Sequence, residues 1–168
     1  LETELAVNQK SYLAMIRNKT AALIACSAGL GALLGGAEAD VVTAYAEFGE
    51  NLGLAFQVID DILGIWGLEQ QTGKSASSDI LTRKKTLPVV YALDDPKLRS
   101  IYHQERLTEA DVPHVVELLE RRGARQYAEE MGRAYSERAM QHLDRAGSDS
   151  PARRAMREYA LSLLRRTY

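Results

Sequence analysis

The stretch from Gly53 to Gly64, Gly-Leu-Ala-Phe-Gln-Val-Ile-Asp-Asp-Ile-Leu-Gly, constrains this chain more than any other. Phe56, Ile59, Ile62 and Leu63 recur at helical spacing, so the segment reads as a helix held in a core. At 3.6 residues per turn, Gln57 lies three residues before Asp60 and four before Asp61, which puts all three on one side. The two acids therefore project from a buried scaffold. Adjacent carboxylates repel unless a cation sits between them. A bare Asp-Asp pair is usually a solvated surface feature. This one is distinguished by the ordered residues on its C-terminal side: Thr72-Gly73-Lys74, then Ser78-Asp79-Ile80, then Lys84-Lys85-Thr86-Leu87-Pro88. Oxygen ligands with lysines a loop away suit Mg²⁺ shared with a phosphate-bearing ligand, because Mg²⁺ is commonly held by one or two carboxylates plus phosphate oxygens.

The rest of the chain is helical in pattern. From about Glu4 to Leu34, Leu5, Tyr12, Leu13, Ile16, Thr20 and Leu23 recur at three and four, and Gly35-Gly36 closes the run. A second helix is expected from about Ala37 to Trp66, with Val41, Tyr45, Phe48, Leu52, Phe56, Ile59 and Leu63 inward. Gly49 and Gly53 each weaken that helix by roughly 1 kcal/mol relative to Ala, which calls for a packing reason such as a close helix approach. Residues 68–83 read as a polar loop. Thr86 is placed to cap the next helix, with Pro88 in its first turn. Asp95-Pro96 starts another. Thr108-x-x-Asp111, or Asp111 itself, caps a helix ending at Gly123. Residues 124–146 form a further helix, Gly147 to Pro151 a break, and the C-terminal residues a last helix. No strand alternation or repeat is visible, so the expected fold is all-α.

Composition excludes several function classes. In 168 residues, 21 Lys and Arg against 23 Asp and Glu leave a formal charge of −2, which gives no nucleic-acid footprint. The single cysteine, Cys26, forms no internal disulfide and fits a reducing, cytoplasmic setting, where it reads as a small hydrophobe. No apolar run reaches the length of a membrane span. His103, His114 and His142 lie far apart on polar faces and read as surface residues. The chain opens on Leu-Glu-Thr-Glu, already helical in pattern, and reads as the middle of something longer.

The ordered string Phe56-Gln57-x-x-Asp60-Asp61, Thr72-Gly-Lys74, Ser78-Asp79-Ile80 and Lys84-x-Thr86-Leu-Pro88 resembles the second aspartate-rich region of the trans-type isoprenyl diphosphate synthases. The resemblance runs from Tyr12 through at least Pro88. It implies the C-terminal part of the isoprenoid synthase helical bundle. It further implies Mg²⁺-dependent condensation of an allylic diphosphate with isopentenyl diphosphate, with metal and lysines stabilising the departing diphosphate. By position, Asp60 and Asp61 become metal ligands, with Asp79 at or near the metal, and Asp60, Asp61 and Lys19 become catalytic groups. Lys19 and Thr20 correspond to a pair that binds the allylic diphosphate. Gln57, Lys74 and Lys84 address substrate phosphate or the metal shell, and Lys85 stands beside Lys84 as an alternative. Arg165 and Arg166 read as a basic pair complementing a helix C-terminus.

Three departures from the family pattern stand out. Gly64 occupies the place of the third acid in Asp-Asp-x-x-Asp. No first aspartate-rich motif precedes Asp60, and no Gly-Lys-Arg segment for isopentenyl diphosphate is found. Residues 1–168 therefore read as a partial domain carrying the second motif, with the N-terminal half absent. Such a chain is expected to be inactive alone, and to dimerise or associate with that missing half. The alternative is a non-catalytic short subunit that binds or regulates a full-length synthase. Retention of Lys19, Gln57, Asp60, Lys74 and Lys84 argues against it, since half a metal site gains nothing from them. A class I terpene cyclase fits the Thr-Gly-Lys and Lys-x-Thr-Leu-Pro pieces less well.

Overall fold

The computed structural model describes residues 7–67, 77–147 and 149–164. Among these the chain is all-α, with no strand. The helices are α1 (Gln9–Ile16), α2 (Ala22–Leu34), α3 (Ala39–Trp66), α4 (Ser78–Leu81), α5 (Leu87–Ala92), α6 (Pro96–Tyr102), α7 (Val112–Arg121), α8 (Ala124–Arg145) and α9 (Pro151–Leu164). A single π-helical turn, Arg17–Ala21, joins α1 to α2; of the helix expected from about Glu4 to Leu34, residues 7 and 8 are not helical and the helix begins at Gln9. Lys74, Arg165 and Arg166 lie outside the described residues.

The chain divides into two compact units, one of residues 7–13 with 58–130, the other of residues 14–57 with 131–164. In the first, Ile65, Ile80, Val89, Leu98, Tyr102, Val115 and Leu119 form a continuous apolar core, and Trp66 packs against it. Asp95 caps α6 as its sequence suggests, accepting from the backbone N–H groups of Lys97 and Leu98. Asp111 reaches back to the backbone N–H of Thr108 at 2.8 Å, half of a capping box. Thr86 sits at the N-cap position of α5, but its hydroxyl is buried and makes no capping bond.

In the second unit the glycines of α3 have the packing reason their cost called for. A Cβ at Gly49 would lie 2.7 Å from the carbonyl oxygen of Ile24. One at Gly53 would lie 2.6 Å from Ala21 Cα, so α3 and the π-turn meet backbone to backbone. Three expectations fail here. Leu23, placed on the inward stripe, is 73% exposed, and Cys26 is exposed as well. Together with Leu30, Leu33 and the 86%-exposed Leu34, they give α2 an apolar face that no described residue of its unit covers. His142 is not a surface residue either: it is half-buried, with Nδ1 2.8 Å from Glu47.

Candidate functional site

Asp60 and Asp61 follow one another on α3, yet the helix turns about 100° between them, and their environments diverge. Asp60 is open to solvent, its side chain 49% exposed. Asp61 is 1% exposed and is surrounded by donors. Its Oδ2 accepts from the Tyr12 hydroxyl of α1 and from the backbone N–H of Leu87 at 2.9 Å. Its Oδ1 accepts from Lys84 Nζ at 3.1 Å. Leu87 opens α5, so its N–H is one of the donors a helix start leaves without an intrahelical partner. Asp61 satisfies it, and a carboxylate suits that end of the helix dipole. Burial pushes the Asp61 carboxyl above the ordinary range, outweighing the charge of Lys84 and the bonds from Tyr12 and Leu87.

Lys84 is the hub of the first unit's polar cluster. Its Nζ lies 2.8 Å from Asp79, 3.1 Å from Asp61 and 3.8 Å from Asp60. Burial disfavours its ammonium, but the Asp61 charge and the Asp79 hydrogen bond win and raise its pKa. Lys84 is thus held charged. Lys85, its alternative by sequence, is instead buried. Asp79 stands on the single turn α4, flanked by two non-glycine residues in the left-handed region, Ser77 (φ 64°) and Arg83 (φ 54°). Such positions are uncommon and gather at functional sites.

The second unit carries the remaining residues. Lys19 and Thr20 lie in the π-turn, where the extra residue redirects side chains out of α-helical register. The Thr20 hydroxyl donates to Gln57 Oε1 at 2.9 Å, and Lys19 is exposed. Sequence reasoning missed Tyr12 and Gly64 as parts of the site. Tyr12 read as a core residue on an apolar stripe; the signal for a role was that a buried tyrosine hydroxyl needs a partner.

A divalent cation needs carboxylate or phosphate oxygens that are free to turn toward it. Among the described residues no group of three or more His, Cys, Asp or Glu has metal-holding geometry. Asp61 has both oxygens engaged by protein donors, so a metal there would share them with Lys84, Tyr12 and Leu87. Asp60 does fit: it is an exposed carboxylate beside a charged lysine, and Mg²⁺ needs only one or two carboxylates when phosphate and water complete its shell.

The comparisons with known proteins agree with this architecture. The polyprenyl synthetase family profile matches residues 1–119. The geranylgeranyl diphosphate synthase of Saccharolobus solfataricus is 39% identical over 148 residues, 84% of this chain and 44% of that protein. The heptaprenyl diphosphate synthase component 2 of Geobacillus stearothermophilus is 37% identical over 161 residues, 95% of this chain and 50% of that protein. Among solved structures, the geranylgeranyl pyrophosphate synthetase of Pyrococcus horikoshii superposes with a TM-score of 0.88 at 30% identity, covering 97% of this chain and 51% of that one. A Corynebacterium glutamicum geranylgeranyl pyrophosphate synthase, complexed with calcium and isoprenyl diphosphate, gives 0.81 at 34% identity, covering 94% and 50%. The chain belongs to the polyprenyl synthetase family, and its fold is that of the isoprenoid synthases. It spans about half the length of the curated relatives it matches.

Proposed function

We propose that this chain is part of an isoprenyl diphosphate synthase, which joins an allylic diphosphate to isopentenyl diphosphate with Mg²⁺. One observation carries the reading: Lys84 is held charged among three carboxylates, of which only Asp60 is open to solvent. A charge-stabilised ammonium beside a solvent-exposed carboxylate is the pair of groups that a metal diphosphate requires. Asp60 holds Mg²⁺, Lys84 contacts diphosphate, and Asp79 orients Lys84. Asp61, expected as a second ligand, anchors Lys84, Tyr12 and the start of α5. Lys19, Thr20 and Gln57 bind diphosphate, with the Gln57 amide fixing the Thr20 hydroxyl, and Lys74 is assigned the same role by resemblance. When bound, Mg²⁺ neutralises charge on the leaving diphosphate.

The exposed leucines of α2 support association with a second chain or with the complementary half of the family fold. That a relative is named as one component of a heptaprenyl synthase supports a separate partner chain. No helix among the described residues is long and apolar enough to cross a membrane; the single cysteine supports a cytoplasmic setting. The test is calorimetric titration with inorganic pyrophosphate in the presence and absence of Mg²⁺, then an elongation assay with the partner restored. Metal-dependent pyrophosphate binding that Asp60→Asn abolishes is the expected result. Binding that ignores both the metal and Asp60 refutes the assignment.

A further inference from the structure

Position 64 is where the family pattern has its third acid, and the structure shows what stands there instead. A Cβ built on Gly64 would lie 2.6 Å from Asp79 Cγ and 3.2 Å from its Cβ, with Asp79 Oδ2 nearer still. That same Oδ2 receives Lys84 Nζ at 2.8 Å. We propose that Gly64 and Asp79 are an interlocked pair: glycine clears the volume, and Asp79, arriving from the next turn of the chain, fills it with the carboxylate the helix lacks.

Asp79 would have to swing its carboxylate away from Lys84 to admit a side chain at 64. It is 14% exposed, and the turn that carries it is fixed on several sides. The Ser77 hydroxyl donates to the carbonyl of Ile65, the residue directly after Gly64, at 3.1 Å. The backbone N–H of Lys84 donates to the Asp79 carbonyl at 2.9 Å. Ser77 and Arg83, both at positive φ, hold the turn's entry and exit in a costly conformation that only a well-determined surrounding sustains. Position 64 comes four residues after Asp60, hence on the same face of α3 one turn on. The third carboxylate has therefore changed element while keeping its place. Gly64 is a positioning residue that acts through Asp79 on Lys84. Restoring the family's acid at position 64 would crowd two carboxylates against one ammonium, and would harm the site rather than complete it.

The inference rests on the proposed function only for what the cluster binds, so the test separates the two. Gly64→Ala, Gly64→Asp, Asp79→Ala and both double variants are melted in the protein as purified, without metal or diphosphate, and then titrated with Mn²⁺ and inorganic pyrophosphate. Gly64→Ala is expected to lower the melting temperature by roughly 4–8 °C, as overpacking against a fixed neighbour does. In the Asp79→Ala background the same change costs less than half as much. Gly64→Asp is the more damaging single variant, and Asp79→Ala suppresses it. In binding, Asp79→Ala loses about tenfold in pyrophosphate affinity, the loss of one charge contact, and Gly64→Asp/Asp79→Ala regains most of it. Equal costs of Gly64→Ala in both backgrounds, or a failure of Asp79→Ala to suppress Gly64→Asp, overturn the interlock. A wild type that binds no pyrophosphate overturns the proposed function, while the melting cycle still decides the interlock.

Discussion

Replacing Asp61 and replacing Asp60 should produce opposite defects, although the two residues are adjacent and chemically identical. At Asp61, Ala removes the acceptor for three donors at a place that is 1% exposed. The backbone N–H of Leu87 and the hydroxyl of Tyr12 are left without it, and each unpaired buried donor costs about 1–3 kcal/mol. Lys84 keeps Asp79 at 2.8 Å and is partly solvated, so its loss is smaller. The sum is about 3–5 kcal/mol, the range for breaking a buried charged pair. Asn at 61 retains one oxygen, enough for the two donors that Oδ2 now serves. Burial already penalises the charge there, so Asn should cost only about 1–2 kcal/mol. Asp60 is half exposed and 3.8 Å from Lys84; its removal should change stability by about 0–1 kcal/mol and abolish metal-dependent pyrophosphate binding. Urea unfolding monitored by circular dichroism reads the difference. The Asp61→Ala midpoint should fall by roughly 1–3 M at an unchanged m-value, while Asp60→Asn stays near wild type. If Asp61→Ala unfolds with the wild type, or Asp60→Asn unfolds as early as Asp61→Ala, the division into anchor and ligand is wrong.

Gly53→Ala tests whether the π-turn is seated by backbone contact. The added Cβ meets Ala21 Cα at 2.6 Å; overpacking of about 1–3 kcal/mol exceeds the roughly 1 kcal/mol gained in helix propensity. A melting temperature a few degrees lower and a weakened affinity for diphosphate ligands are expected, and an unchanged value of both refutes the seating. Asp95 gives the pH dependence. Desolvation, the largest single influence there, is outweighed by the N–H groups of Lys97 and Leu98 together with Arg121 and Arg122, so its folded pKa is lowered. The contribution is then fully present above the ordinary carboxylate pKa and lost as pH falls through the folded value. The stability gap between wild type and Asp95→Asn should accordingly be open at neutral pH and close below about pH 4; a gap that widens in acid contradicts the sign.

How far the site could be read in advance depends on the range of each interaction. The period of Phe56, Ile59 and Ile62 identifies α3 because helical packing repeats along the chain. The cap at Asp95 is legible for the same reason, donor and acceptor lying two or three residues apart; Asp111 bonds back to Thr108 and caps no N–H of its own helix. Thr86 makes no capping bond, since the N2 residue it would serve is Pro88, which has no N–H; the Leu87 N–H goes to Asp61, 26 residues away in the chain. Leu23 was assigned inward because periodicity names an apolar stripe without saying whether anything covers it. Residue type does not separate Lys84 from Lys85 either; packing does, placing Lys84 against Asp61 and Asp79 and burying Lys85.

By itself the sequence determined that the chain is helical, that an acid pair rides on a buried helix, and that lysines come on the next segment. These are consequences of spacing and of polarity, both local. Tertiary structure alone decided that Asp60 faces solvent while Asp61 is enclosed by Tyr12, Lys84 and Leu87. It alone brought Asp79 against Gly64. The reason is that one step of about 100° along a helix can carry a side chain from water into a core, and which step does so is set by the elements packed against it, 15 to 49 residues away in the chain.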